Sequence, residues 1–268
     1  MSILEQLAEY AVYRVEQAKK TLSLEQMKEQ ALLIKKEEFV FEKTLKKPGL
    51  SFICECKKAS PSKGLIARDF PFLQIAREYE DAGADCISVL TEPKWFLGKD
   101  AYLREISQVV TVPCLRKDFT VDEYMIYEAK ALGASAVLLI CTILSEAQMK
   151  EYLAVCEALG LSALVEAHDE TEVEMALSAG ARIIGVNNRN LKDFTVDTQN
   201  SRRLRALLPE DVLFVAESGV QGPEDVRQLT QIGADAVLVG EVLMRAADRR
   251  KMLIELRKSS EKITEAIL

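Results

Sequence analysis

Charged and amide side chains stand in this chain where apolar runs stop. Glu55-Cys56-Lys57, Arg116-Lys117-Asp118, Glu166, Asn187-Asn188-Arg189, Glu217-Ser218-Gly219 and Gly240-Glu241 each close a stretch rich in Val, Ile, Leu or Ala. Side chains alternate along a strand, so Glu55 and Lys57 share one face while Cys56 points the other way. Asn187 and Arg189 share a face for the same reason. Lysines and glutamates in a dry hollow are costly unless paired or used. Used, they do proton chemistry: an ammonium donates to an oxygen that gains charge, and a carboxylate takes or returns a proton. The bland alternative is a structural ring of ion pairs. Ser218-Gly219 and Gly240 offer backbone N–H groups with little side-chain bulk, which suits a phosphate.

Other chemistries find less support. The single histidine, His168, rules out a multi-histidine metal site. Beside Asp169 it could be a base, but a surface or capping role fits it better. The six cysteines form no C-x-x-C pair and read as small buried hydrophobes in a reducing compartment.

Groups this far apart in sequence need a scaffold that gathers them. Five times a helical run stops at x-Gly-x and drops into an apolar strand, at Gly83, Gly133, Gly160, Gly180 and Gly233. Glycine suits the left-handed residue just past a helix end. Repeated helix-to-strand connections imply a parallel sheet. Eight strand-like runs are expected, at 51–55, 86–90, 113–116, 136–141, 163–166, 183–186, 212–216 and 236–239. Amphipathic stretches lie between them, including 72–81, 121–132, 146–159, 170–178 and 223–232. Eight such units in 268 residues favour an α/β fold of the (β/α)8 TIM-barrel kind. A doubly wound open sheet competes, but it would carry a glycine-rich turn after its first strand. This chain has Cys56-Lys-Lys-Ala-Ser-Pro-Ser62 there instead. In a barrel the site lies at the C-terminal strand ends, where all the groups above fall, and loops seven and eight commonly hold phosphate.

Residues 1–46 read as an N-terminal helical extension packed on the barrel, and 47–268 as the barrel, a single catalytic domain. Ser2-Ile-Leu-Glu5 and Ser23-Leu-Glu-Gln26 look like capping boxes, and Ile3, Leu7, Tyr10 and Val15 can share a helix face. Lys46-Lys47-Pro48-Gly49 reads as a turn. The net charge of −7 argues against nucleic acid as a partner. No apolar run is long enough for a membrane span, and the start shows no secretory pattern, so a cytoplasmic protein is expected.

The strand-end motifs resemble those of the indole-3-glycerol-phosphate synthase family of tryptophan biosynthesis. The match rests on Glu55-Cys-Lys57-Lys-Ala-Ser60-Pro61-Ser62, Leu115-Arg-Lys117-Asp-Phe119, Leu164-Val-Glu166, Gly185-Val-Asn187-Asn-Arg189 and Ala216-Glu217-Ser218-Gly219. It runs through essentially the whole chain. The resemblance implies a carboxy-lyase that closes 1-(2-carboxyphenylamino)-1-deoxyribulose 5-phosphate to indole-3-glycerol phosphate, carbon dioxide and water, with no metal and no organic cofactor expected. By motif position, Lys117 would be the general acid of ring closure and Glu166 the acid/base group of dehydration. Lys57 would be a second catalytic lysine. Glu55 and Glu217 would be active-site carboxylates, and Asn187 and Arg189 polar substrate contacts. Ser60, Ser218, Gly219 and Gly240 match positions at or near the phosphate. Phe96, Phe119, Leu138 and Pro61 match the apolar aryl pocket. Glu241 is either a phosphate contact through its N–H or simply the start of the last helix. The partner implied is a small phosphorylated substrate, with the protein a monomer or weak homodimer.

Chemistry supports these roles. Ring closure needs the ribulose carbonyl polarised while an aryl carbon attacks. A lysine acid works best with its pKa lowered, which burial and the neighbouring Lys57 are expected to do. Two rivals stand beside this reading. A Schiff-base aldolase would form a covalent imine at Lys117. A phosphate-binding barrel without catalysis would bind ligand and not turn it over.

Overall fold

Each expected strand forms, and the eight close on one another. A computed structural model of the chain describes residues 2–35, 38–190 and 194–267, with the backbone alone for 262–267. The strands are β1 (Ser51–Cys56), β2 (Cys86–Leu90), β3 (Cys114–Lys117), β4 (Ala136–Ile140), β5 (Ser162–Ala167), β6 (Ile183–Asn187), β7 (Leu213–Glu217) and β8 (Ala236–Val239). Every neighbouring pair is parallel, and β1 pairs with both β2 and β8, so the sheet is a closed barrel. A short antiparallel hairpin, Ala59–Ser60 with Gly64–Leu65, stands in the loop after β1.

Alternation along the strands divides the core in two. Ile53, Leu115, Leu138, Leu164, Val215 and Leu238 point inward and fill the barrel. Cys54, Cys56, Ile87, Val137, Val165 and Phe214 point outward and pack under the helices. Both faces of the strands are therefore apolar, as buried parallel strands require. All six cysteines are buried and free.

The helices of the N-terminal extension are α1 (Ile3–Thr21), α2 (Leu24–Leu33) and α3 (Val40–Leu45). Both expected capping boxes form, Ser2 with Glu5 and Ser23 with Gln26. The buried stripe of α1 is Leu4, Leu7, Ala11 and Val15. Tyr10 lies beside that stripe, edge-on to Trp95 with ring centroids 5.7 Å apart. The extension reaches both ends of the barrel. Leu4, Leu7 and Ala11 of α1, together with Phe41 and Leu45 of α3, join the cluster that fills the interior. The Glu42 N–H donates to Ser162 Oγ at 3.1 Å, which fixes α3 at the N-terminal strand ends.

Nine more helices follow among the described residues: α4 (Phe72–Asp81), α5 (Asp100–Val109), α6 (Glu123–Ala131), α7 (Glu146–Leu159), α8 (Glu170–Ala179), α9 (Gln199–Arg205), α10 (Pro223–Gln231), α11 (Glu241–Arg245) and α12 (Arg249–Ile267). The five glycines that mark helix ends all have positive φ, from 66° to 95°. None of these helices is long and apolar enough to cross a membrane.

Two ion pairs tie α1 to the segment after β3, Arg14 with Asp118 and Lys19 with Asp122, and the first is the more buried. Arg14 donates from Nη2 to Asp118 Oδ1 at 2.6 Å and from Nη1 to Oδ2 at 3.1 Å. Asp118 is buried and also accepts from Thr91 Oγ1 at 2.6 Å. Replacing Arg14 by Ala leaves that buried carboxylate without its ion-pair partner and loosens the helix. The expected cost is about 3 kcal/mol of stability. KM should rise several-fold as well, since α1 contributes wall to the cavity described next. Urea unfolding with steady-state kinetics checks both, and a variant with unchanged midpoint and KM contradicts this anchoring.

Candidate active site

The C-terminal strand ends surround a cavity of about 740 Å³. Every site residue expected from sequence lines it: Glu55, Lys57, Ser60, Pro61, Phe96, Lys117, Phe119, Leu138, Glu166, Asn187, Arg189, Glu217, Ser218, Gly219, Gly240 and Glu241. Register explains the meeting. Glu55 pairs with Ser88, Glu166 with Gly185, and Asn187 with Glu217, so the functional side chains stand at matching heights around the barrel.

The floor is an interlocked set of charges. Lys57 Nζ lies 2.7 Å from Glu55 Oε1. Lys117 Nζ lies 3.5 Å from both Glu166 Oε2 and Glu217 Oε2. Burial by itself would drive the Lys117 ammonium toward neutrality. Glu217, Glu166 and Glu55 overcome it and hold Lys117 above the ordinary lysine range. This corrects the expected lowering by Lys57, whose charge is matched at close range by Glu55. Near 4 Å one such attraction is worth roughly 4 kcal/mol at an effective dielectric of about 20, and Glu55 together with the Glu166–Glu217 pair presents two such charges to Lys117. Lys117 is therefore held as an ammonium, the form that can donate a proton.

The carboxylates differ among themselves. Burial would raise Glu55, but Lys57 and Lys117 hold it low. Burial would raise Glu166 too, and Lys117 and then His168 bring it below the usual range, helped by a hydrogen bond from Asn187. The Asn187 Oδ1 is taken by the Arg189 N–H at 3.0 Å, which turns the amide N–H₂ toward Glu166. Glu217 goes the other way. Burial, partly offset by Lys117, together with the charge of Glu166 pushes it up to about 8. The buried pair thus holds one negative charge and one proton, as adjacent carboxylates do.

A stability prediction follows from Glu217. Its pKa is raised on folding, so between about pH 4.5 and 8 the folded chain binds the extra proton. The contribution is complete below the unfolded pKa and lost as pH rises through the folded one. Glu217→Gln should flatten this decline. Chemical denaturation of both proteins from pH 5 to 8.5 measures it, and parallel profiles contradict the assignment.

Space is arranged around these groups. A Cβ on Gly185 would overlap the Glu217 carboxylate. A Cβ on Gly240 would stand 2.8 Å from Glu55 Oε1 and 3.1 Å from Lys57 Nζ. Ser218 and Gly219 both have positive φ, 64° and 96°. Ser218 is held there by Asn188, whose Nδ2 donates to the Ser218 carbonyl at 3.1 Å. The Asn188 Oδ1 is fixed by the Ser201 N–H at 3.0 Å and hydroxyl at 2.9 Å. Glu241 opens α11, which is not the last helix, and its carboxylate engages Arg245 at 3.1 Å, Lys63 at 3.5 Å and Arg189 at 3.9 Å. Any role toward an anion is left to its N–H.

The opposite side is apolar. Phe96 and Phe119 face each other at 6.0 Å, with Leu138 beside them in the interior cluster. Ile3, Leu4 and Leu7 of α1 complete that wall, a contribution the sequence reading missed. Glu92 positions the loop carrying Phe96. It is fully buried and accepts the N–H groups of Lys94, Trp95 and Phe96 at 2.8 to 2.9 Å.

The family model for indole-3-glycerol phosphate synthase matches residues 4–256. A protein of that name from Ruminiclostridium cellulolyticum is 54% identical over 259 residues, covering 96% of this chain and all of the relative. Another from Endomicrobium trichonymphae is 52% identical over 256 residues, covering 95% and 99%. The chain belongs to the indole-3-glycerol phosphate synthase family. It is accordingly a carboxy-lyase of tryptophan biosynthesis that acts on a small phosphorylated substrate. Distant solved structures share the barrel alone. KGPDC from Streptococcus mutans superposes with TM-score 0.64 at 11% identity, covering 81% of this chain and 99% of that one. Thiamine phosphate pyrophosphorylase from Pyrococcus furiosus gives 0.61 at 18%, covering 83% and 98%.

Proposed function

We propose that the cavity divides the family reaction among its charged floor, its glycine-rich rim and its apolar wall. The substrate is 1-(2-carboxyphenylamino)-1-deoxyribulose 5-phosphate. Its phosphate lies against Ser60, Ser218, Gly219 and Gly240, with Arg189 nearby and the Glu241 N–H as a further donor. Its aryl group lies against Phe96, Phe119, Leu138 and Pro61, where flat apolar surface is matched by flat apolar walls.

Lys117 is the general acid of ring closure. As the aryl carbon bearing the carboxylate bonds to the ribulose carbonyl carbon, the carbonyl oxygen gains charge and takes the Lys117 proton. The carbon–carboxylate bond then breaks, its electron pair returns to the ring, and carbon dioxide leaves. In dehydration Glu166 removes the ring proton. A lysine across the mouth supplies the proton with which the hydroxyl departs as water. Lys57, fixed by Glu55, contacts the substrate as the second lysine. Glu217 carries a proton and steadies the Lys117–Glu166 pair.

The observation that carries this reading is Lys117 Nζ at 3.5 Å from two buried carboxylates in the cavity. A held ammonium can donate the proton that ring closure needs. Adding the aminodeoxyribulose phosphate and following indole fluorescence tests it. Indole formation without a borohydride-trapped adduct on Lys117 supports it. A trapped adduct supports the aldolase, and binding without turnover supports the non-catalytic barrel.

We read 1–46 as an extension of one catalytic domain, 47–268, because its apolar residues join the barrel's interior cluster. The single chain lines the whole cavity, which suits a monomer or weak homodimer. A cytoplasmic setting suits six free thiols. Neither nucleic acid nor membrane has a part in this reading.

A further inference from the structure

His168 does not belong to the motifs discussed above, yet it stands against the floor of the site. It lies two residues past Glu166 on the same side of the chain. Its Nε2 is 3.5 Å from Glu166 Oε1, while Lys117 holds the other oxygen of that carboxylate at the same distance. On the far side of the ring, Nδ1 is 3.0 Å from Glu172 Oε2. Glu172 also accepts the His168 N–H at 2.8 Å and the Thr142 hydroxyl at 2.5 Å. Asn200 Nδ2 donates to the His168 carbonyl at 3.1 Å. The ring is thus fixed from β5, α8, α9 and the turn after β4.

Nε2 is fully buried and makes no hydrogen bond, although Glu166 Oε1 lies within ion-pair distance of it. Both ring nitrogens face a carboxylate. A neutral imidazole would have to turn one lone pair toward negative charge, whereas an imidazolium offers an N–H to each side. The groups facing it are Glu166, Glu172 and Glu217, with Thr142 beside Nδ1 and Lys117 beyond Glu166.

We propose that His168 is a positioning residue for dehydration: held by Glu172, it fixes the Glu166 carboxylate in place to take the ring proton. The proposal rests on the base role given to Glu166. The carboxylate then has a cation on each side, Lys117 for the first step and His168 for the later one. A proton arriving on Glu166 weakens the hold of His168 as the charge between them falls, so no further reactant is needed. The direction of both titrations agrees. Burial would lower His168, but Glu172 and Glu166 hold it above the ordinary histidine range, and His168 is the second cation that lowers Glu166.

The test is a single-turnover measurement of ring closure and dehydration across pH for the wild type, His168→Gln, Glu172→Gln and Glu166→Gln. In His168→Gln the dehydration rate should fall roughly tenfold, with ring closure and KM within about twofold. Its acidic limb should move up by about one pH unit, because the cation favouring ionised Glu166 is gone. Glu172→Gln leaves the ring in place, and its limb should move the same way by less. A limb unmoved in both folded variants, with Glu166→Gln still impaired in dehydration, overturns the role of His168 alone. A wild-type partition between steps in Glu166→Gln overturns the base assignment and this proposal together. Thermal melting of each variant shows whether it is folded. If His168→Gln fails to fold, Glu172→Gln decides.

Discussion

Lys117→Ala is expected to lower kcat by roughly a thousandfold while a non-reacting phosphorylated analogue still binds within several-fold of the wild-type affinity. Proton donation by a placed side chain contributes factors of this size. Binding should survive because the rim at β7 and β8 proposed for the phosphate, and the apolar wall at β2 to β4 proposed for the aryl group, are built without this side chain. The substitution also removes the cation between Glu166 and Glu217. Those carboxylates become less able to ionise, so stability should fall at neutral pH and recover on acidification. Calorimetric binding beside steady-state turnover separates these effects. Wild-type-like rates in the folded variant contradict the role.

Glu166→Gln is expected to change the order of rates within one turnover. Ring closure should slow by less than tenfold, because Lys117 keeps Glu217 and Glu55 as partners. Dehydration should slow roughly a hundredfold, because glutamine cannot take the ring proton. The decarboxylated, cyclised, still hydrated compound should then build up and be caught by rapid quench. An unchanged partition between the two steps contradicts the assignment. Stability should change modestly, since glutamine retains an oxygen for Lys117 and can also donate toward the region of Glu217.

The barrel was legible because buried parallel strands and their helix-ending glycines leave a repeated local pattern. Strand ends were legible for the same reason, and a period of two then placed Glu55 with Lys57 and Asn187 with Arg189. The direction of the Lys117 shift was not legible. It depends on which charges meet across the barrel, and sequence shows Lys57 as a nearby cation without showing Glu55 at 2.7 Å from it. The part played by α1 was half visible: the capping box and apolar face were there, but nothing local says that Leu4 and Leu7 cover the mouth of a barrel more than 40 residues away. In sequence, a surface or capping role fits the lone His168 better than a base paired with Asp169, and it is Asp169 that caps α8. The capping belongs to its neighbour, and its own ring turns back to Glu166.

The central claim is that the Lys117 ammonium acts first, at the forming carbon–carbon bond. Rapid-quench analysis of a single turnover by Lys117→Ala tests it most directly. The expected result is substrate that stays bound and open-chain, with no cyclised species at any time. Accumulation of a cyclised, undehydrated compound in that variant would place Lys117 in the later step and contradict the account.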